Sequence, residues 1–483
     1  MFLASWARSQ ATAQPPQAGA AAGPAPPPSQ NQKATAADTN TKDQKISPKE
    51  AEELFHDVDQ ILEFASKDSG LPIKQEVKRR LTSRDEVVAY LQKNMAEDKD
   101  AQRLRRSELV LKKFGLLPQD FDLQTFLVAL LREQVAGYYD AKTKTVNLLD
   151  WIEVEQQRPV LAHELTHALQ DQSFGLEKWL KVGDTDLDDK KQPTAEDIEN
   201  DEISEARQGV VEGQAMVVLV DYMLAPTGQS LLASPQIADA LKEAMLVGTA
   251  DSPRFKDAPI FLKEELTFPY RYGLDFEAEL LRSGGKEKAF PAALNNPPRT
   301  TRQIMEPKTY LSGETLDPMR LPDFQRDFKN YERFDVGAMG EFDVAILVDQ
   351  YAGTEVSHNL YPHWRGGYYY AARPKGDPTA PLALLYVSRW SSPEKAAAFA
   401  AIYAQALAKR YKHAHEVTED GIDRPDNLQK LESLTGTHTW LTEEGPVVIA
   451  VEGDSLLITE SLDQPTTEQL EHELFGAFVA TGK

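Results

Sequence analysis

The residues His163-Glu164-Leu165-Thr166-His167 carry the strongest chemical signal in the chain. At about 3.6 residues per turn, positions i and i+4 stand on one helical face, so two imidazole nitrogens can reach one ion while Glu164 sits beside it without ligating. That is the zinc arrangement of metalloproteases. Val160, Leu161, Ala168 and Leu169 flank the motif, which uses two of only nine histidines. A catalytic zinc needs a third protein ligand and an open position. With no Cys in the chain and no His after His167 until His358, a carboxylate is favoured. Glu205 and Glu212 are the candidates, seven residues apart and so on one helical face. Glu212 is chosen as the ligand because Val210, Val211, Met216, Val217 and Val218 surround it, and a charge in so apolar a helix demands a cation. Glu205 is left as an outer, supporting carboxylate. Gly213 and Ala215 would let this helix approach the motif helix closely.

These groups need a helical frame. Ser47-Pro48-Lys49-Glu50 is a helix start with a capping box, and Ala51, Leu54, Phe55, Val58, Ile61, Leu62 and Ala65 form one stripe that Gly70 and Pro72 end. Ser83 with Glu86 starts a second helix, and further helical patterns run over 100–114 and 123–135. Gly137 to Leu149 reads as a hairpin, and Pro159 is expected to start the motif helix, Val160 to about Gln172. Residues 181–206 hold ten Asp and Glu, which argues a solvated insertion. Asp184, Asp186, Asp188 and Asp189 lack the Gly and terminal Glu of a calcium-binding EF-hand loop. A Val- and Met-rich helix is expected from about Ile203 to Leu224, then an extended connection over 286–335. Beyond it, strand-like segments at 366–372, 382–390, 437–442, 447–451 and 456–459 alternate with helical ones at 340–352, 393–410 and 467–478. The expected organisation is an N-terminal tether (1–46), a mainly helical metal-binding domain with a short hairpin or sheet (47–335), and a small α+β accessory domain (336–483), making the chain α+β overall.

Composition narrows the partners. The 483 residues carry 53 Lys and Arg against 76 Asp and Glu, a net charge of −23. Such a surface repels phosphate backbones, and there is no local basic patch to overrule it, so no nucleic acid is expected. No run approaches the roughly 18 consecutive apolar residues of a membrane span, so no stable membrane insertion is expected. Without Cys there are no thiolate metal sites or thiol nucleophiles. Met1 to Arg8 followed by Ala11-Thr12-Ala13 looks like the end of a secretory signal whose start is lost, and residues 11–45 read as an Ala- and Pro-rich spacer. Export, to the periplasm or outside, is the expectation; an ordinary tail on a cytoplasmic protein is the alternative. Oligomeric state is not legible.

His163 to His167, followed by a helix bearing Glu212-Gly213-Gln214-Ala215, resembles the gluzincin clan, the thermolysin-like zinc metallopeptidases. Gly137-Tyr138-Tyr139-Asp140, Ala168-Leu169-Gln170-Asp171-Gln172 and Pro297-Pro298-Arg299-Thr300-Thr301-Arg302-Gln303-Ile304 are similar to a group of bacterial secreted or membrane-tethered proteins of that clan, over about residues 75–310. The resemblance implies a zincin-like catalytic domain that hydrolyses peptide bonds of a peptide or protein substrate. It makes Glu212 the third zinc ligand and Glu164 the general base acting on a zinc-bound water. Thermolysin-like enzymes carry an Asp four residues beyond the glutamate ligand; here Met216 stands there, so Asp171 is the candidate to accept from the free ring N–H of a zinc histidine. Tyr270 and Tyr272 are both candidates to donate to the oxyanion. The Thr145–Leu149 segment could be an edge strand on which substrate adds. Two alternatives stay open: a non-catalytic zinc-braced peptide-binding or interaction module, and a helical interaction protein with a fortuitous motif.

Overall fold

The computed structural model describes residues 45–95, 98–134, 137–182, 191–241, 253–417 and 431–476. The signal-like segment and nearly all of the tether, together with Asp184, Asp186, Asp188 and Asp189, lie outside the described residues. Helix α1 (Pro48–Ser69) begins as its sequence encodes: the Ser47 N–H donates to Glu50 Oε2 at 2.6 Å and Glu50 N–H returns to Ser47 Oγ at 3.3 Å. Its stripe of Leu54, Val58, Ile61, Leu62 and Ala65 is buried, and Gly70 ends it with φ 74, a left-handed conformation suited to Gly.

Strand β1 (Lys78–Thr82) leads to α2 (Arg84–Met95), α3 (Asp98–Phe114) and α4 (Leu123–Gln134). Then come β2 (Tyr138–Asp140) and β3 (Thr145–Leu149), the expected hairpin. The three strands form a sheet in the order β1-β3-β2, with β1 parallel to β3. Thr145–Leu149 is therefore the central strand and not the expected edge. Lys78-Arg79-Arg80 hid β1 from the sequence reading, because a charged, half-exposed strand has no apolar alternation to show. The edge strands are β1 and β2.

Helix α5 (Val154–Phe174) carries the metal motif and α6 (Ala195–Leu224) carries Glu212. Helix α6 starts well before the expected Ile203, with Thr194 and Asp197 capping each other, so the second half of the expected solvated insertion is helix. Glu202 and Glu205 are buried in it. Among the described residues, Ala195–Thr227 alone is long and apolar enough to cross a bilayer, but 72% of its apolar window is buried inside the molecule, as in a core helix. Helix α7 (Ile260–Glu287) packs along α6 with backbones in contact: a Cβ on Gly273 would overlap the Gly209 carbonyl, and one on Gly213 would overlap Gly273. The close approach that Gly213 permits is thus to α7 and not to the motif helix. A short helix, α8 (Thr301–Met305), follows within the segment expected to be extended.

Strands β4 (Tyr331–Ala338), β5 (Trp364–Pro374), β6 (Ala383–Trp390), β7 (Ala414–Val417), β8 (Gly436–Thr442), β9 (Gly445–Glu452) and β10 (Ser455–Glu460) build a seven-stranded antiparallel sheet, ordered β4-β5-β6-β10-β9-β8-β7. Helices α9 (Glu341–Ala352), α10 (Pro393–Arg410) and α11 (Gln464–Phe475) are interspersed, so the fold is α+β. On one sheet face Tyr386 and Trp390 meet Phe399 of α10; on the other Tyr370 stacks on Phe324 at 4.5 Å. The first of these faces is continuous with the helical core. Phe114 of α3 lies edge-on to Tyr369 and Tyr386, and Phe268 of α7 is 4.1 Å from Phe342 of α9.

Candidate metal centre

Helix α5 begins at Val154, one turn ahead of Pro159. The proline is the sixth helical residue, past the first turn, and withholds the backbone donor that the Glu155 carbonyl would otherwise receive. From there Val160 to Asp171 is buried throughout, which presents the motif to the interior. His163, Glu164, His167 and Glu212 are 0, 2, 5 and 3% exposed. His163 Nε2 lies 3.1 Å from both Glu212 Oε2 and His167 Nε2, and His167 Nε2 lies 3.3 Å from Glu212 Oε2. A tetrahedral ion with bonds of about 2.0–2.1 Å separates its ligand atoms by roughly 3.3 Å. The three groups could therefore hold a metal ion.

His167 and Glu212 shift one another's ionisation. Burial works against charge on His167, yet Glu212 and then Glu164 outweigh it and raise the pKa to about 9. Burial likewise opposes ionisation of Glu212, but the charge of His167 and hydrogen bonds from both histidines lower it to about 2.

The supporting contacts differ from the expectation. Asp171 accepts from Tyr139 Oη at 2.8 Å, Lys144 Nζ at 2.6 Å and the Leu176 N–H at 3.0 Å, and touches no ligand histidine. Four residues beyond His167, it is directed to the hairpin side of α5. The ring is held instead by Gln170, whose Oε1 is 2.9 Å from His167 Nδ1. Gln170 Nε2 in turn donates to the Val211 carbonyl at 3.1 Å and to Gln214 Oε1 at 2.9 Å, and Gln214 Nε2 donates to the Ala289 carbonyl at 2.8 Å. Gln208 Nε2 holds the second oxygen of Glu212 at 2.7 Å. The sequence reading passed over these three glutamines. For Gln170 and Gln208 the available signal was a place one turn from a candidate ligand; Gln214, two residues from Glu212, gave none.

Glu164 Oε2 accepts the Tyr139 N–H at 2.8 Å, so the outer edge of β2 orients this carboxylate. Tyr270 stacks on His163 with ring centroids 6.1 Å apart. Burial first, then Glu212 and Glu164, push its hydroxyl well above the usual range and keep it a donor. Tyr272 is elsewhere: two residues on, it faces the opposite side of α7, against Phe268, Phe342 and the Arg271 guanidinium. Glu205, two turns before Glu212, stands beside Glu265, Asp343 and Glu202 and away from the histidines; burial and then Glu265 push it well up.

No family model matches this sequence, and neither the curated proteins nor the solved structures contain a match.

Proposed function

We propose that the protein is a zinc-dependent peptidase whose metal is held by His163, His167 and Glu212. The observation that carries this reading is the mutual 3.1–3.3 Å spacing of three buried ligand atoms beside a fourth buried group, Glu164, that is not one of them. A purely structural site has no need of that extra carboxylate. Zinc bound here would bring the pKa of a water toward about 7 and polarise the scissile carbonyl. Glu164, oriented by the Tyr139 N–H, takes the proton of the attacking water and delivers it to the leaving amine. Tyr270, protonated and packed on the first histidine, supplies the hydrogen bond to the developing oxyanion. The motif and the glutamate ligand are those of the gluzincin resemblance, which implies the same division of roles and a zincin-like catalytic domain.

The test pairs metal analysis with one substitution. The parent should hold one equivalent of zinc and lose thermal stability on chelation, and Glu212→Ala should hold far less. Glu164→Gln should keep the zinc and lose hydrolysis of a broad peptide library. Equal turnover by Glu164→Gln and the parent would remove the assigned base, and a zinc-loaded parent without turnover would leave a zinc-braced binding module.

A further inference from the structure

Tyr139 is attached to helix α5 at two points. Its backbone N–H donates to Glu164 Oε2 and its hydroxyl donates to Asp171 Oδ2, each at 2.8 Å. Glu164 and Asp171 are seven residues apart, about two turns and roughly 10.5 Å along the axis, so they share one face of α5 and Tyr139 lies along it. The chain rests directly on the helix here: a Cβ on Gly137 would stand 3.3 Å from Val160 Cγ1 and 4.0 Å from Glu164 Cγ.

Asp171 grips more than that hydroxyl. The same Oδ2 accepts from Lys144 Nζ at 2.6 Å, while Oδ1 accepts the Leu176 N–H at 3.0 Å, which fixes the carboxylate from the other side. Lys144 ends the turn between β2 and β3 with φ 57, a left-handed conformation that a residue with a side chain keeps only where its surroundings impose it. Its carbonyl accepts the Lys78 N–H at 3.2 Å and so joins the turn to β1. One residue beyond Asp171, Gln172 Oε1 accepts the Lys74 and Gln75 N–H groups at 2.8 and 3.1 Å. The last turns of α5 therefore hold the three-stranded sheet both at the hairpin turn and where the chain enters β1. An ion pair with a partner as open to solvent as Lys144 contributes little to stability. Its consequence is where it puts β2.

We propose that Asp171 is a positioning residue for Glu164: by holding Tyr139 and Lys144 it fixes the β2 edge on α5, and the Tyr139 N–H then aims the Glu164 carboxylate. The role rests on the peptidase reading, in which Glu164 is the base. Asp171 touches no metal ligand, so its loss changes the direction of the base and leaves zinc binding intact. A reacting group displaced by about 1 Å can lose on the order of a hundredfold in rate.

Amide hydrogen exchange on the full chain, followed by NMR with zinc and with a chelator, reads the clasp without any need of turnover. With tyrosine amides isotopically labelled, the Tyr139 signal is the one lost in Tyr139→Phe, and phenylalanine labelling reads the same amide in that variant. Tyr139→Phe and Asp171→Leu should exchange this amide at least about tenfold faster than the parent, while the Tyr386 amide in the distant sheet is unchanged. Asp171→Asn keeps an acceptor for the hydroxyl and should recover most of the protection. In peptide hydrolysis both variants should keep one equivalent of zinc and a KM within about twofold of the parent, with kcat reduced about ten- to hundredfold and largely restored in Asp171→Asn. If Asp171→Leu does not fold, Tyr139→Phe carries the comparison. The parent's exchange rate in a folded Tyr139→Phe overturns the clasp, and faster exchange with an unchanged kcat overturns the positioning role. A zinc-loaded parent without turnover defeats the peptidase reading and the role with it, a failure distinct from that of the clasp.

Discussion

His167 Nδ1 faces Oε1 of Gln170 at 2.9 Å, and this one contact fixes the protonation pattern of the ring. The Gln170 amide nitrogen already donates to the Val211 carbonyl and to Gln214, so its oxygen must be the end that meets the imidazole. An amide oxygen only accepts. Neutral His167 therefore carries its proton on Nδ1 and turns the Nε2 lone pair toward Glu212 and His163, which is the tautomer a metal requires.

Gln170→Leu should accordingly lower zinc affinity by about 10- to 100-fold in a chelator competition, while Gln170→Glu, which still accepts from the ring, stays within a few-fold of the parent. Parent affinity in Gln170→Leu would show that packing alone orients the histidine.

Tyr270→Phe should reduce kcat by about 10²–10³ with little change in KM, since an oxyanion donor acts on the transition state and not on the bound substrate. Tyr272→Phe, on the far side of α7, should leave both constants unchanged. An equal loss in the two variants would mean that the effect is structural.

Gly273→Ala should destabilise the fold by about 1–3 kcal/mol or more, because the added methyl meets the backbone of α6 at Gly209 and Gly213 and backbone cannot rotate aside. Chemical denaturation measures it. Gly228→Ala, at a left-handed turn with open space around it, is a useful contrast: its loss comes from backbone strain alone and should be near 1 kcal/mol.

Stability should fall as pH rises from about 4.5 to 8. Burial, and then Asp343, raise Glu202 to about 7, and burial raises Glu341 to about 8 despite Arg302. A group raised in the folded state binds its proton more tightly there than in the unfolded chain. Its stabilisation is complete below the ordinary carboxylate pKa and is lost as pH passes through the folded value. Glu202→Gln keeps an acceptor for Thr301 and removes the titration, so its melting temperature should depend less on pH across 4.5–7 than the parent's; an unchanged slope would exonerate Glu202.

Local signals made much of this molecule readable. The capping box at Ser47 and Glu50, the stripe through Val58 and Ile61, and the five longer strands between Trp364 and Glu460 follow from patterns within a few residues. So does the pairing of His163 with His167, and the apolar setting of Glu212 pointed to its charge partner. What failed was non-local. The strand at Lys78–Thr82 is chosen by its neighbour β3 and not by its own alternation. The helix through Pro269 and Gly273 drew no reading from the sequence, since both residues disfavour helix locally, and α7 is stabilised there by backbone packing on α6. Gln170 and Asp171 stand three and four residues beyond His167, both within reach of its ring by spacing, and the hairpin groups Tyr139 and Lys144 draw Asp171 away.

Phe114 of α3 closes the helical core by packing on Tyr369 and Tyr386 of the sheet, and the ribosome makes those tyrosines long after the motif. At roughly 10 residues per second, on the order of twenty seconds separate synthesis of His167 from that of Tyr386. Glu212 and the groups that touch the cluster, up to Tyr270, are all made before the sheet begins at Tyr331. It is the burial of Phe114, and with it the closure of the helical core against the sheet, that waits until the polypeptide is almost finished.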